Sequence, residues 1–504
     1  MRRGEVLFRK TSMDKRIFGI ETEFGCLVND DSVGTAEMIV EQVKDHAFYK
    51  DKLGLIDLHA RDYAFEPARC GGFLRSGGRL YIDAVGSHME YATPECTDFA
   101  DAVAYDKAGR VILQRLLREL DLQDKVSFHS NSVDHFGGHT FGCHENYLVA
   151  IDDRFFLEAL SYLLPFLVTR QIFAGVGRVG GHRLNYKSLK NNIMTISDYE
   201  VDYQWVGNFY GVEVDPTVDF QLSQRADHIV KTISSRVRFN RAIINPKWDS
   251  YYNYSNLHRL HILFGECNMS EYATLLKIGT TSIVLDLIED GILLQDVELR
   301  DPLEALKSVS RDPTWKWLVR RKGGDTIGAV DLQRMYLKAA QERYTGRDAQ
   351  TDYVLTEWAK CLDSLERDPY ELADKLDWVA KRKMMEDFIE AENGAVQWGD
   401  DILHSLDLEY HNVNPETSLY YGLEQSGAIQ RATTDRRIFE ATMTPPTNTR
   451  AKGRGIVIDK LLANNSRDYV IDWDLIYINK RLHLELKNPF HTYKDESTAF
   501  ASGL

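Results

Sequence analysis

The sequence predicts an α+β fold, and three observations predict it. Strand patterns crowd the first half of the chain, helical patterns fill residues 302–393, and no regular β-α-β alternation links the two. With 504 residues, 43% of them hydrophobic, the chain is long enough to bury a large core.

In chain order, residues 17–25 alternate with period two and read as a strand, followed by a helical pattern near 35–43. Residues 79–83 and 88–93 read as two more strands. Thr97-Asp98 offers a cap for a helix from Phe99 to Leu120. Residues 126–131 and 141–151 read as strands, 155–173 as a helix, and 175–215 as an irregular, Gly-, Asn- and Tyr-rich insertion. Residues 257–265 form a strand, and Ser270 caps a helix over 271–289 that Gly291 ends. A boundary near 422–430 separates a large unit, 1–425, from a small C-terminal unit, 426–504.

Composition narrows the function. Lys and Arg total 61 against 76 Asp and Glu, a net charge of −15 that suits no broad nucleic-acid surface. The six cysteines include no C-x-x-C pair and read as reduced thiols. The start, Met1-Arg2-Arg3-Gly4-Glu5, lacks a signal-peptide pattern, and the longest apolar stretch, 161–175, is too short and polar to span a bilayer. A cytoplasmic protein without nucleic-acid or membrane partners is expected. Gly175 to Gly180 matches G-x-G-x-x-G, but it follows a helix, so a Rossmann site is rejected; there is no P-loop, H-E-x-x-H or G-x-S-x-G.

The chemistry-bearing residues recur on strands. Glu21 and Glu23 are two apart and share a face, as do Arg79, Tyr81 and Asp83. Glu90 and Thr93 follow, with Gly86-Ser87-His88 as a polar corner. In Gly142-Cys143-His144-Glu145-Asn146-Tyr147, His144 and Asn146 face one way and Glu145 the other. Arg259 and His261 alternate ahead of the helix start at Asn268-Met269-Ser270-Glu271, an arrangement suited to an anion. Each set also fits an exposed strand or an ordinary cap. Together they suggest a sheet that holds divalent metal and a nucleotide, with an Asp as base or nucleophile.

The motifs Gly19 to Gly25, Arg79 to Asp83, Gly86 to Cys96 and Gly142 to Tyr147 resemble the Pup ligase/depupylase family. So do Leu164 to Gln171, Gln221 to Arg225, Asn268 to Glu271 and Val470 to Trp473, in the family's order from about 16 to 475. The resemblance implies a glutamine-synthetase-like fold of the carboxylate-amine ligase superfamily: a curved antiparallel sheet cradle backed by helices, with a small C-terminal domain that contributes to the nucleotide site. It implies Mg²⁺ (or Mn²⁺) and ATP as cofactors. Glu21, Glu23, Tyr81, Glu90 and His144 would hold metal, and Arg79, Thr93, Trp473, Arg225 and Arg259 would contact ATP. Asp83 would be the catalytic aspartate.

In that family the ligase phosphorylates the C-terminal glutamate of Pup, a ubiquitin-like modifier, and a lysine then displaces phosphate; the depupylase cleaves the resulting isopeptide bond. The chain departs from the family on the acceptor side. Ile243-Ile244-Asn245 is followed by Pro246-Lys247-Trp248-Asp249, where the family carries an active-site Arg and His. An extra residue lies in Ala84-Val85, the insertion 180–215 is longer, and the family's K-N-N is replaced near His129-Ser130-Asn131. These departures predict phosphoryl transfer from ATP to a non-Pup acceptor, such as a nucleoside or small carboxylate. The alternative is a Pup ligase or depupylase with Pup as partner.

Overall fold

The computed structural model describes residues 15–62, 66–83, 88–135, 139–150, 153–184, 212–234, 241–246, 257–479 and 481–504. The corner at 84–87, most of the insertion (185–211) and the departure at 247–254 lie outside the described residues.

The scaffold of the site is a ten-stranded sheet. Its first seven strands are β1 (Phe18–Val28), β2 (Gly54–Ile56), β3 (Gly71–Leu74), β4 (Arg79–Asp83), β5 (His88–Ala92), β6 (Val126–His129) and β7 (Cys143–Val149). The spatial order is β2-β3-β4-β5-β1-β7, then His258–Ile262, Ala242–Pro246 and Lys231–Ile233, with β6 paired to the far end of β1. All pairs are antiparallel except Lys231–Ile233 with Ala242–Pro246. The architecture is the α+β, sheet-with-helices form that the sequence predicts.

Period two divides β1 as its pattern requires: Ile20, Thr22 and Phe24 are buried, while Gly19, Glu21 and Glu23 stay half-buried on the opposite face. The buried face is covered by α1 (Ala36–Asp45), α2 (Phe99–Glu119) and the helix Glu271–Glu289. Asp98 caps α2 by accepting from the backbone N–H groups of Ala100 and Asp101, and Phe99 stacks on Phe18 at 5.3 Å. The expected helix over 155–173 is two helices, α3 (Asp153–Thr169) and Gln171–Ala174. They part at Arg170, whose buried guanidinium grips Glu145 of β7 at 2.5 and 2.9 Å. Glu145 therefore points into the core, opposite His144, as the alternation predicts.

The 302–393 stretch is not helical throughout. A hairpin, Leu318–Arg320 with Thr326–Gly328, interrupts it, because Gly323-Gly324 lets the chain reverse, with Gly324 at φ 98°. After 426, the helix Asp435–Met443 packs along α2. The helix Ala451–Ala463 and a three-stranded sheet (Tyr469–Ile471, Leu475–Ile478, Leu482–Glu485) share a core with Leu55 of β2 and Phe73 of β3. The end of the chain thus docks on the β2–β3 edge and brings Trp473 beside the sheet.

A seam of buried histidines joins the loop after β6 to the helix Asp401–Tyr410 and the β-strand residues near 180. His182 Nδ1 lies 3.0 Å from His228 Nε2, and His135 Nε2 lies 3.4 Å from Asp407, which Lys381 also contacts at 2.6 Å. Burial, with Arg178 adding for His182, lowers His135 to about 3 and His182 to about 4. Folding therefore resists their protonation. The stability they contribute is complete above the unfolded value near 6.5 and is lost as pH falls toward 4. Urea titrations should show the unfolding midpoint falling over that window, and His182→Gln should flatten the fall.

Candidate active site

Strand register assembles the site. Glu23 lies opposite Glu90, which lies opposite Tyr81, so one row across β1, β5 and β4 carries two carboxylates and a phenol. In the neighbouring row, Glu21 lies opposite His144 of β7. Asp83 closes β4 opposite His88.

Each acid has a distinct environment. Burial alone would raise Glu21, but His144 (3.4 Å) and His261 (3.4 Å) hold its carboxyl well below the usual range. Asn146 Nδ2 also donates to it at 3.1 Å. Glu23 is likewise brought down to about 2 against its burial, by His88, by the charge of His144 and by the Gly142 N–H at 2.7 Å. Glu90 goes the other way. It is 5% exposed and its carboxyl is pushed well up, first by burial and then by the charges of Glu23, Asp83 and Glu21. Burial and the charge of Glu90 also push the Tyr81 phenol up.

This donor set fits a divalent cation. Ligand atoms of Glu23, Glu90 and His144, and those of Glu21, His144 and His261, lie within 4.8 Å of one another. Carboxylate oxygens suit Mg²⁺, and the imidazoles widen the choice to Mn²⁺. A bound cation would offset the like charges that crowd Glu90. Gly142 packs closely beside it: a Cβ there would sit 2.5 Å from His144 Nε2 and 2.6 Å from Glu23 Oε1, so a side chain would displace those two groups.

From Glu21 a cavity runs past Thr93 and Arg259 to Trp473. Thr93 Oγ1 accepts from the Ile20 N–H, and Arg259 Nη1 donates to Asn146 Oδ1 at 3.1 Å, 3.7 Å from Glu21. Two expected ATP contacts are not brought to its wall. Arg79 is buried and bonded to Asp57 (2.7 Å) and Glu66 (2.9 Å), with its guanidinium over the Tyr81 ring. Arg225 donates to the Phe141 carbonyl and lies beside Glu23, at the end of the cluster away from Trp473. Conversely, His261 was absent from the expected metal-binding residues. Its signal was its parity with Arg259, which the register with Asn146 converts into proximity to Glu21.

A sequence model described as Pup-ligase protein matches residues 16–477. The chain belongs to the Pup-ligase family. It is an enzyme of the ligase class. The Pup–protein ligase of Nocardioides sp. is 33% identical over 505 residues, covering 98% of this chain and all of that one. That of Gordonia bronchialis is 33% identical over 492 residues, covering 95% and 97%. Among solved structures, the complex of the prokaryotic ubiquitin-like protein Pup with its ligase PafA has a TM-score of 0.77 at 28% identity, covering 97% of this chain and 91% of the other. PafA with ADP has a TM-score of 0.72 at 30% identity, covering 86% and 89%. No described helix of this Pup-ligase family member is long and apolar enough to cross a membrane.

The cluster makes a direct prediction. Millimolar Mn²⁺ or Mg²⁺ should raise the melting temperature of the metal-free protein. Glu90→Gln should keep the metal-free melting temperature and lose that rise. A full metal response in the variant would remove Glu90 from the metal site.

Proposed function

We propose that this chain is an ATP-dependent Pup ligase. The observation that carries the reading is that Glu21 of the acid cluster lines the cavity that reaches Trp473, in a chain that matches Pup–protein ligases end to end. The small-molecule acceptor expected from the departures at Ala84-Val85 and 246–254 has no counterpart among these relatives. The departures are then variations around a Pup-type acceptor.

On this reading the γ-phosphoryl group of ATP passes to the side-chain carboxylate of Pup's C-terminal glutamate. A P–O bond forms to that carboxylate and the bond to ADP breaks. A lysine amine then attacks the acyl carbon, forms the amide and releases phosphate. A divalent cation held by Glu21, Glu23, Tyr81, Glu90 and His144 would, when bound, neutralise phosphate charge. Thr93, Arg259 and Trp473 form the nucleotide wall, with residues 426–504 acting as the domain that supplies the indole. Asp83, at the mouth of the cluster, takes the proton lost from the lysine ammonium. Arg79 acts at one remove, holding Tyr81 from behind, and Arg225 places positive charge at the acceptor end.

The test supplies full-length protein with ATP, Mg²⁺, Pup ending in Glu and a lysine-bearing protein. A Pup conjugate with one ADP and one phosphate is expected. Asp83→Asn should bind ADP normally and conjugate roughly 10²–10⁴-fold more slowly. Phosphorylation of a small molecule without Pup dependence would overturn the reading.

A further inference from the structure

Arg454 sits beneath the Trp473 end of the cavity and takes no part in the chemistry above. It is fully buried in the helix Ala451–Ala463, yet its bonds all leave that helix. Nε and Nη2 donate to the Gly77 carbonyl at 3.1 and 2.7 Å, in the β3–β4 turn. Nη1 donates to the Trp473 carbonyl at 2.7 Å. Both Nη groups reach the carboxylate of Glu95, which Arg450 shares at 2.6 Å. The guanidinium also lies 4.9 Å from the Trp473 ring centroid and 5.1 Å from that of Phe73, and Phe73 meets Trp473 edge-on at 4.9 Å.

One planar, fixed fork therefore touches three separate parts of the chain. Two of them, Glu95 and Trp473, line the cavity. The third is pressed against the same helix: Gly77 has φ 85°, and a Cβ on it would meet Ala451 Cβ at 2.9 Å. Backbone carbonyl and ring of Trp473 are both fixed by the same group, which sets the height and tilt of the indole relative to the sheet. Burial would raise Glu95, but Arg454 and Arg450 hold it down to about 2, so the carboxylate that the two guanidinium groups share stays ionised. A lysine has one point charge and cannot reproduce the fork.

We propose that Arg454 is a positioning residue for the nucleotide: clasped to Glu95 and Gly77, it holds Trp473 where a purine base can pack. This rests on the ATP reading above. The purely structural alternative, a rivet between the C-terminal unit and the sheet, would lower stability and leave nucleotide affinity of the folded protein unchanged.

The experiment compares Arg454→Lys and Glu95→Gln with Arg75→Ala, which breaks the exposed Arg75–Asp459 ion pair at the same junction. ADP affinity is read by calorimetry and the urea midpoint alongside it. KM for ATP, kcat and KM for the protein acceptor complete the set. Arg454→Lys and Glu95→Gln should weaken ADP binding and raise KM for ATP about tenfold or more, with kcat within about threefold and acceptor KM unchanged. Arg75→Ala should leave ADP affinity unchanged. If folded Arg454→Lys and Glu95→Gln bind ADP as the unsubstituted protein does, or if all three variants lose affinity only in step with the urea midpoint, the inference fails while the ATP reading stands. Absence of ADP binding by the unsubstituted protein would instead overturn the ATP reading, and this inference with it.

Discussion

Like-charge crowding on one sheet face is the constraint around which this molecule is organised. Glu21, Glu23 and Glu90 project from adjacent strands, and Asp83 adds to the same field. Two of the acids are held ionised by histidines and a backbone N–H, while Glu90 is driven toward its neutral form. A protein built only for stability would avoid such a face, because each uncompensated buried charge costs several kcal/mol. The face persists because the rest of the sheet over-determines it: Arg170 locks Glu145 on the reverse side of β7, so His144 cannot turn away, and α2 anchors β1 through Phe99 and Phe18.

Charge ties the Trp473 end of the cavity together. At the Trp473 end, a chain of ion pairs runs from Glu66 through Arg79, Asp57 and Arg61 to Asp472. Parallel to it runs the Arg454–Glu95–Arg450 clasp. Both tie the C-terminal sheet to the β2–β5 region with charge-assisted bonds, half-buried in the first and buried in the second. Among the described residues beyond Glu23, the buried Arg225 guanidinium donates to the Phe141 carbonyl and the His88 ring lies against Phe141. A rigid wall suits a nucleotide of fixed shape.

Much of this was legible in the sequence, for a physical reason. Period-two parity within one strand is local, so Glu21 with Glu23, Arg79 with Tyr81 and His144 with Asn146 were correctly grouped on shared faces before any pairing was known. The caps at Asp98 and Ser270 were equally local. Register between strands is not. The meeting of Glu23 with Glu90, and of His261 with Asn146, depends on contacts across long sequence separations. Arg79 illustrates the limit: its strand face is legible, but its ion pairs with Asp57 and Glu66 come from a loop without strand or helix signal. The hairpin at 318–328 was hidden inside a helical composition, and the role of Arg454 depends on three segments that only tertiary structure brings together.

The central claim is that the acid cluster exists to hold divalent metal beside a nucleotide, and diffraction tests it most directly. Crystals grown with Mn²⁺ and a non-hydrolysable ATP analogue should show anomalous density within coordination distance of Glu21, Glu23, Glu90 and His144, with the base against Trp473. Nucleotide bound at Trp473 with no metal density among those residues, or metal bound elsewhere, would contradict it.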